Sequence, residues 1–521
     1  MKAKLLLAST CILACTSVIS QTLVADINPG LDGSEPAEKI EYNGDLYFQA
    51  DDGVNSRELW KYDGTSTTLV QDINPGGGNS YPMNFAVAGG MLYFSANDGT
   101  TGRELWQYDG TIATLVQDIN PGTAGNDFEQ KIVAIGNTIY FRADDGVNGE
   151  ELWKYDGTTL SMIDIYPGSF SSAPYNFHVY NGNLYFVADN GTTGFELFKY
   201  DGTNLNVIDI NPGPAGSFIY SFFEYNGILY FGGNDGTNGH ELMQYDGNLV
   251  SLVQDINPIG GSFPDYFEVY NNELFFQAQD ETNGFELWKY NGTTATMVQD
   301  INPSGSSEPI ELTTFGTALY FVADNGTNGR ELWKYDGTTT SMVEDINSAG
   351  SGMPSQSSLE DYSFFTVLGI HLYFTADDGV NGYQLWKYDG TTTTQMIINT
   401  NMSDAFPVFY TIYNNELYFT AYDHPVHGSE MWKVTGSFAS QELIGSNDDI
   451  QLFPNPTSTH FQVTGLTTNA PFRMVDLSGK EVMSGVVNEH TSINVESFNS
   501  GVYILYIQTD NGTAIEQLVI R

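Results

Sequence analysis

One hexapeptide recurs through the chain and limits what it can fold into. Leu59-Trp60-Lys61-Tyr62-Asp63-Gly64 has counterparts at Trp106, Trp153, Phe198, Met243, Trp288, Trp333, Trp386 and Trp432, at intervals of 46, 47, 45, 45, 45, 45, 53 and 46 residues. A second marker, Leu46-Tyr47-Phe48, precedes each hexapeptide and runs through Leu92-Tyr93-Phe94 and Ile139-Tyr140-Phe141 to Leu417-Tyr418-Phe419. A unit repeated at this period cannot bury its apolar surface alone, so neighbouring copies have to pack together.

The punctuation inside a copy divides it into four short strands. Residues 38 to 42 lead into Asn43-Gly44, Asp45 to Ala50 form a second strand, and Asp51 to Ser56 form a loop. Glu58 to Tyr62 form a third strand, Asp63-Gly64 a second tight turn, and Thr68 to Ile73 a fourth strand ending at Asn74-Pro75-Gly76. Asn-Gly and Asp-Gly supply the positive φ of two-residue hairpins, and the β-branched and aromatic runs between them suit pleated strands. Helical periodicity is nowhere sustained. Each copy is therefore expected to be a four-stranded antiparallel meander, and radial packing of such units gives a β-propeller. Thr22 to Ile27, followed by Asn28-Pro29-Gly30, reads as a fourth strand placed before the first copy. The ninth copy loses its own fourth strand after Lys433. The expectation is an all-β, nine-bladed propeller spanning 21–436, with the N-terminal strand closing the last blade; an open or irregular array is the alternative. The 53-residue interval places an insertion around Ser348 to Tyr362.

The Glu-Leu-Trp-Lys-Tyr-Asp-Gly-Thr run, cleanest at Glu331 to Thr338, resembles the ELWxxDGT repeat family of secreted bacterial proteins. The copies depart from that pattern at Phe198, Met243, Asn291, Gln384 and Val434-Thr435. The resemblance implies a repeat architecture and no established activity.

The two ends concern delivery. Lys2 and Lys4, an apolar run from Leu5 to Ala14 and the small residues Val18 and Ser20 mark residues 1–20 as a secretory signal peptide that leaves Gln21 first. Ile12-Leu13-Ala14-Cys15 also loosely resembles a lipobox, with an unfavourable Leu at its centre. Both cysteines, Cys11 and Cys15, lie in this segment, so the exported product would be held without disulfides. No later stretch approaches the ~20 apolar residues of a membrane span. Residues 437–450 read as a polar linker. Beyond it, Phe453-Pro454-Asn455-Pro456, Met474 to Lys480, Ser500 to Tyr506 and the final Gln517-Leu518-Val519-Ile520 resemble the type A C-terminal sorting domain of type IX secretion substrates. That resemblance implies a small β-sandwich over 451–521, recognised by an outer-membrane export machine in Bacteroidota, with the cargo released or held at the cell surface. Another adhesive sandwich is the alternative for this segment.

Charge narrows the partners. The chain has 64 acidic and 18 basic residues and a net charge of -46, which argues against nucleic acid and anionic membranes and suits divalent cations or a cationic partner. In a propeller, the loops between second and third strands share a rim with the blade junctions. The loops bring Asp51, Asp52, Asp98, Asp144, Asp145, Asp189, Asp235, Asp324, Asp377 and Asp378 to that rim, and the junctions bring Asp26, Asp72, Asp118, Asp164, Asp209, Asp255, Asp300 and Asp345. Carboxylate, amide and carbonyl oxygens on Gly-bent loops are what a structural Ca²⁺ needs, six to eight at a time. The competing reading is that Asp, Asn and Gly are there to form Asx turns. The most deviant loop, in copy nine, carries Asp423, His424 and His427, three candidate Zn²⁺ ligands lacking a fourth. The recurring Trp and Tyr could stack on sugars, but their fixed place in every third strand suits packing between blades.

Repeated residues build the scaffold, and a site is expected where the repeat breaks. Catalytic motifs are missing: there is no Gly-x-Ser-x-Gly elbow, no cysteine nucleophile outside the signal and no phosphate loop joined to a helix. Two functional readings follow. One is a secreted or surface noncatalytic scaffold that contacts a polysaccharide or protein through its acidic, loop-rich rim. The other is a secreted glycoside hydrolase or lyase with a carboxylate pair in the propeller mouth.

Overall fold

A computed structural model of the chain describes residues 20–435 and 451–520, apart from 123–124, 127, 129, 356–363, 402 and 424 in the first stretch and 454–456, 458, 467–469, 476–480, 489–490, 496–497, 499–500 and 510–511 in the second. The signal segment up to residue 19, residues 356–362 of the insertion and the linker lie outside the described residues. Contacts divide the chain into two compact units, one from Leu23 to Trp432 and the other comprising Met1–Thr22 and Lys433–Arg521. Every regular element among the described residues is a strand. Among the described residues no helix is long and apolar enough to cross a membrane.

Copy one shows how the punctuation becomes structure. Strands β2 (Ala37–Tyr42), β3 (Asp45–Asp51), β4 (Arg57–Tyr62) and β5 (Thr67–Gln71) form one sheet in that order, antiparallel throughout. Asn43 and Gly44 take φ of 52° and 85°, as a two-residue hairpin with right-handed strand twist requires. The expectation for Asp63-Gly64 needs correcting. Only Gly64 has positive φ, and the connection runs from Asp63 to Ser66, closed by Asp63 N–H donating to Ser66 O at 3.2 Å. The Asp63 carboxylate accepts from the N–H groups of Thr65 and Ser66, both at 2.8 Å, so the side chain substitutes for a tighter backbone turn. β5 is also not identical in all copies. Its pairing slips by one residue between Leu59 and Trp60, and the same bulge occurs in copies two, five, six and seven, which accounts for their extra residue before the junction.

Seven more sheets of this order span Met83–Gln117, Val133–Ile163, Tyr175–Ile208, Tyr220–Gln254, Asp265–Gln299, Ile310–Glu344 and Phe365–Met396. A ninth is assembled from both ends of the repeat region: β1 (Ser20–Ala25) lies beside Gly428–Thr435, followed by Glu416–Asp423 and Val408–Tyr413. Alternation along the strands puts Phe48 opposite Trp60 in the middle of the sheet, and both are buried. The core then lies between sheets. Tyr42, Tyr47, Leu59 and Ile73 of copy one cluster with Leu92, Phe94, Trp106 and Tyr108 of copy two. On its other side copy one packs against copy nine, with Tyr62 ring centroids 6.3 Å from Tyr413 and 5.7 Å from Tyr418. Each large side chain buried in this way contributes about 1.5–3 kcal/mol.

The second unit has one three-stranded sheet, from Gln451–Phe453, His460–Thr464 and Ser492–Asn494, and one four-stranded sheet. The latter runs Glu481–Val487, Ala470–Val475, Gly501–Thr509, Gly512–Ile520. Both contribute to a single hydrophobic cluster that includes Phe461, Val463, Met474, Leu505 and Leu518.

Candidate functional site

The most regular chemistry in the molecule belongs to the glutamate that precedes each Leu-Trp pair. Strand alternation puts Glu58 on the face that carries Trp60, and its side chain is fully buried. It accepts from Ile73 N–H at 2.8 Å, Asn74 N–H at 3.4 Å and Ser80 Oγ–H at 2.7 Å, holding both ends of the connection into copy two. Glu104, Glu151, Glu196, Glu241, Glu286, Glu331 and Glu430 are equally buried. Glu430 reaches the N-terminal segment, accepting from Ile27 N–H at 3.3 Å, Asn28 N–H at 3.3 Å and Ser34 N–H at 2.9 Å. Burial pushes Glu58, Glu104, Glu196, Glu331 and Glu430 up to about 7, although their hydrogen bonds pull the other way. In copy eight Gln384 takes this place. These residues brace junctions. The recurring indoles, from Trp60 at 9% exposure to Trp106 at 7%, are likewise inside the packing between sheets.

The loop aspartates form a second regular set. Asp51 accepts from Gly53 N–H at 2.7 Å, and Asp52 from Val54 N–H at 2.9 Å, Asn55 N–H at 2.6 Å and the Asn55 amide at 2.7 Å. Asp144, Asp189, Asp324 and Asp377 repeat the first role; Asp98, Asp145, Asp235 and Asp378 repeat the second. Partial burial raises the pKa of Asp52, Asp98, Asp145, Asp235 and Asp378, but these donors outweigh it and leave each below its usual range. Loops and junctions do meet: Asp51 N–H donates to Ser34 O and Asn97 N–H to Ser80 O, both at 2.9 Å. Among the described residues no three His, Cys, Asp or Glu side chains converge as a metal cluster. Of the candidate zinc loop, His427 Nδ1 is 3.0 Å from the Asp423 carboxylate, and His424 lies outside the described residues. The carboxylate oxygens without a partner are elsewhere. Oδ1 of Asp72, Asp118, Asp255, Asp300 and Asp345 is buried without a hydrogen bond, and these are the junctions that follow the bulged strands.

The repeat breaks one residue before the buried glutamates. That position holds Arg57, Arg103, Glu150, Phe195, His240, Phe285, Arg330, Tyr383 and Ser429 in turn. In copy five the departure is structural as well as chemical. The His240 ring is sandwiched between Tyr220, 4.6 Å away and inclined by 9°, and Phe263, 5.2 Å away and inclined by 7°. Nε2–H donates to Phe218 O at 2.9 Å, which leaves Nδ1, 3.5 Å from the Tyr220 hydroxyl, as the acceptor. Burial holds the imidazole below its ordinary pKa and therefore neutral, against a smaller opposing pull from the Phe218 carbonyl. The room for this stack comes from the neighbouring strand. A Cβ on Gly232 would lie 2.5 Å from His240 Cε1 and 2.9 Å from Pro264 O, whereas other copies carry residues as large as Gln49, Arg142 and Val322 there.

Copy six completes the cluster. Asp265 Oδ1 accepts from Ser221 Oγ–H and, at 2.8 Å, from Tyr266 N–H, and burial raises its pKa. Phe263 and Phe218, at φ of 49° and 50°, are 41% and 56% exposed. Left-handed backbone at bulky residues costs on the order of 1–3 kcal/mol each. Sequence reasoning assigned nothing to this cluster. The available signal was a paired departure: His before the glutamate and Gly-Gly in place of x-Ala at 232–233 occur in the same copy.

Residues 451–521 match the family described as the secretion system C-terminal sorting domain. Such a tail implies recognition by the type IX secretion machinery and export to the outer cell surface or the extracellular space. No curated protein matches the chain. Among solved structures, PorZ, a surface component of the type IX secretion system of Porphyromonas gingivalis, is 14% identical, with 94% of this chain and 75% of that one covered and a TM-score of 0.34. The β-propeller domain of the Trilobed protease from Pyrococcus furiosus is 10% identical over 60% of this chain and 98% of that one, with a TM-score of 0.31.

Proposed function

We propose that the chain is a type IX cargo whose ELWxxDGT-type repeats close into a nine-bladed propeller, followed by a β-sandwich sorting tail, and that the propeller is a noncatalytic binding scaffold. Closure is supported by the ninth sheet, which draws β1 from the N-terminal side, and by Tyr62 of copy one against Tyr413 and Tyr418 of copy nine. Export begins with the signal peptide at 1–20. At the surface the propeller contacts a polysaccharide or protein through its acidic rim.

The observation that carries this reading is a division of labour. The recurring Glu, Trp and Tyr are buried in the scaffold, while rim residues beside them change from copy to copy and include the exposed rings of Phe170, Phe218 and Phe263. Exposed aromatics on a rigid support are binding surface rather than core. Incubating the secreted chain with surface polysaccharides and cell-envelope proteins, with product analysis of each hit, tests it. Binding without turnover supports the scaffold; a released oligosaccharide product would replace it with the hydrolase or lyase reading.

A further inference from the structure

We infer that the cluster where copy five meets copy six is a subsite for an uncharged sugar ring, with Phe263 as its stacking platform and Asp265 as its hydroxyl acceptor. The inference rests on the scaffold reading above and gives it a position and a ligand class.

Three observations point to a built site. First, Phe263 is 41% exposed, yet it is backed by the His240–Tyr220 stack, three near-parallel rings deep. An aromatic ring held in this way loses little conformational freedom when something stacks on it, which is the physical advantage of a preorganised platform. Second, Gly232 has been cleared of a side chain for the His240 ring, so the stack depends on two coordinated departures from the repeat. A scaffold position needs no such departure, since the other copies fill it with larger residues. Third, a polar group is fixed in the same junction as the apolar platform. Asp265 follows Phe263 by two residues, and Ser221 and the Tyr266 N–H both engage its Oδ1, so that the carboxylate is oriented before any ligand arrives.

A flat apolar ring with a fixed carboxylate two residues further along the chain matches a pyranose, which presents a C–H face and an edge of hydroxyl donors. The electrostatics choose among pyranoses. A chain with 64 acidic and 18 basic residues repels uronates and sulfated sugars, and Asp265 is itself an acceptor, so neutral sugars fit and acidic ones do not.

The test uses the secreted chain and calorimetric titration with neutral β-glucan, xylan and mannan oligosaccharides, and with alginate and pectin oligosaccharides as acidic comparators. The native chain is expected to bind at least one neutral set and neither acidic set. Phe263→Ala should weaken that binding about tenfold or more. Asp265→Asn should weaken it less. Ile112→Ser, at an exposed side chain in the turn between third and fourth strands of copy two, should leave it unchanged. Gly232→Val, which drives a side chain into His240, should abolish binding while the far-ultraviolet dichroism of the nine sheets persists. Neutral-sugar binding that survives Phe263→Ala overturns the subsite but leaves a binding scaffold in place. Failure of every neutral sugar to bind, or preference for an acidic one, also overturns the subsite, and the scaffold reading then stands or falls on the protein ligands.

Discussion

Copies one and eight build the same junction with different chemistry. In copy one Glu58 accepts two backbone N–H groups and the Ser80 hydroxyl. In copy eight Gln384 Oε1 still accepts from the equivalent N–H groups, Ile398 at 2.9 Å and Asn399 at 3.3 Å, but its Nε2–H₂ donates to the carbonyls of Asn381 at 2.8 Å, Ser403 at 3.1 Å and Asn399 at 3.4 Å. The serine is gone as well: Ala405 makes the backbone bond to Tyr383 O that Ser80 makes to Arg57 O. The comparison teaches that the fold requires an acceptor here for the strand-exit N–H groups, and that the charge is dispensable once the far side of the pocket offers acceptors instead of a hydroxyl donor.

The largest effects should come from violating that rule. Glu331→Ala leaves Ile346 N–H, Asn347 N–H and Gly352 N–H without their buried acceptor. An unsatisfied buried donor costs about 1–3 kcal/mol, so urea denaturation should show a loss of roughly 3 kcal/mol or more in the transition that includes this copy. Gln384→Glu should cost a similar amount, because it turns a carboxylate oxygen toward three carbonyls. A midpoint within error of the native chain for either variant would break the comparison.

A smaller, more discriminating effect is expected from transplanting copy eight into copy one. Glu58→Gln alone should lose about 1–2 kcal/mol, since the new amide N–H₂ faces the Ser80 donor. Adding Ser80→Ala should cost less than the sum of the two single changes, and a double-mutant cycle reads that coupling directly. Additive costs would mean that the serine and the glutamate are independent.

Much of this was legible in the sequence and some was not, for reasons the same residues show. The turn chemistry, the alternation of Phe48 and Trp60 and the strand that precedes copy one are local signals, and each element lies within a few residues of where those signals put it. The bulge in β5 was not readable, because one additional residue before Asp72 looks the same as a longer strand until the pairing slips between Leu59 and Trp60. The cluster around His240 was missed for another reason. It depends on Tyr220, Gly232, Phe263 and Asp265, which are up to 45 residues apart and are brought together by two adjacent copies. Repetition makes a scaffold conspicuous and hides a place where two adjacent copies have been altered together.

The copy-one junction should also respond to pH where the copy-eight junction cannot. Glu58, Glu104, Glu196, Glu331 and Glu430 are held at about 7 when folded, above the 4.5 of an exposed glutamate. The folded chain thus keeps protons that the unfolded chain releases, and stability falls as pH rises from about 4.5 through 7. His178, His240 and His371 oppose this below 6.5 and Lys39, lowered to about 7, opposes it above 7, since burial disfavours their protonated forms, but they are outnumbered. The urea midpoint should therefore be higher at pH 5 than at pH 8. Replacing Glu58 and Ser80 by the copy-eight pair should reduce that difference by the contribution of one glutamate. A midpoint that rises toward pH 8 would show that the buried carboxylates do not dominate this window.

The least effect is expected from calcium. Asp52 and its counterparts already accept two backbone N–H groups each from their own loops, so that one carboxylate oxygen of each is committed to forming the turn. Thermal melting should give the same midpoint in millimolar Ca²⁺ and in chelator. A rise of several degrees would move the metal reading away from the loops and onto the junctions after the bulged strands, where Asp72, Asp118, Asp255, Asp300 and Asp345 each keep a buried oxygen without a hydrogen bond. Asp72→Asn would then remove part of the calcium response while Asp52→Asn would leave it, and that contrast would separate a cation that braces a junction from an aspartate that merely bends a loop.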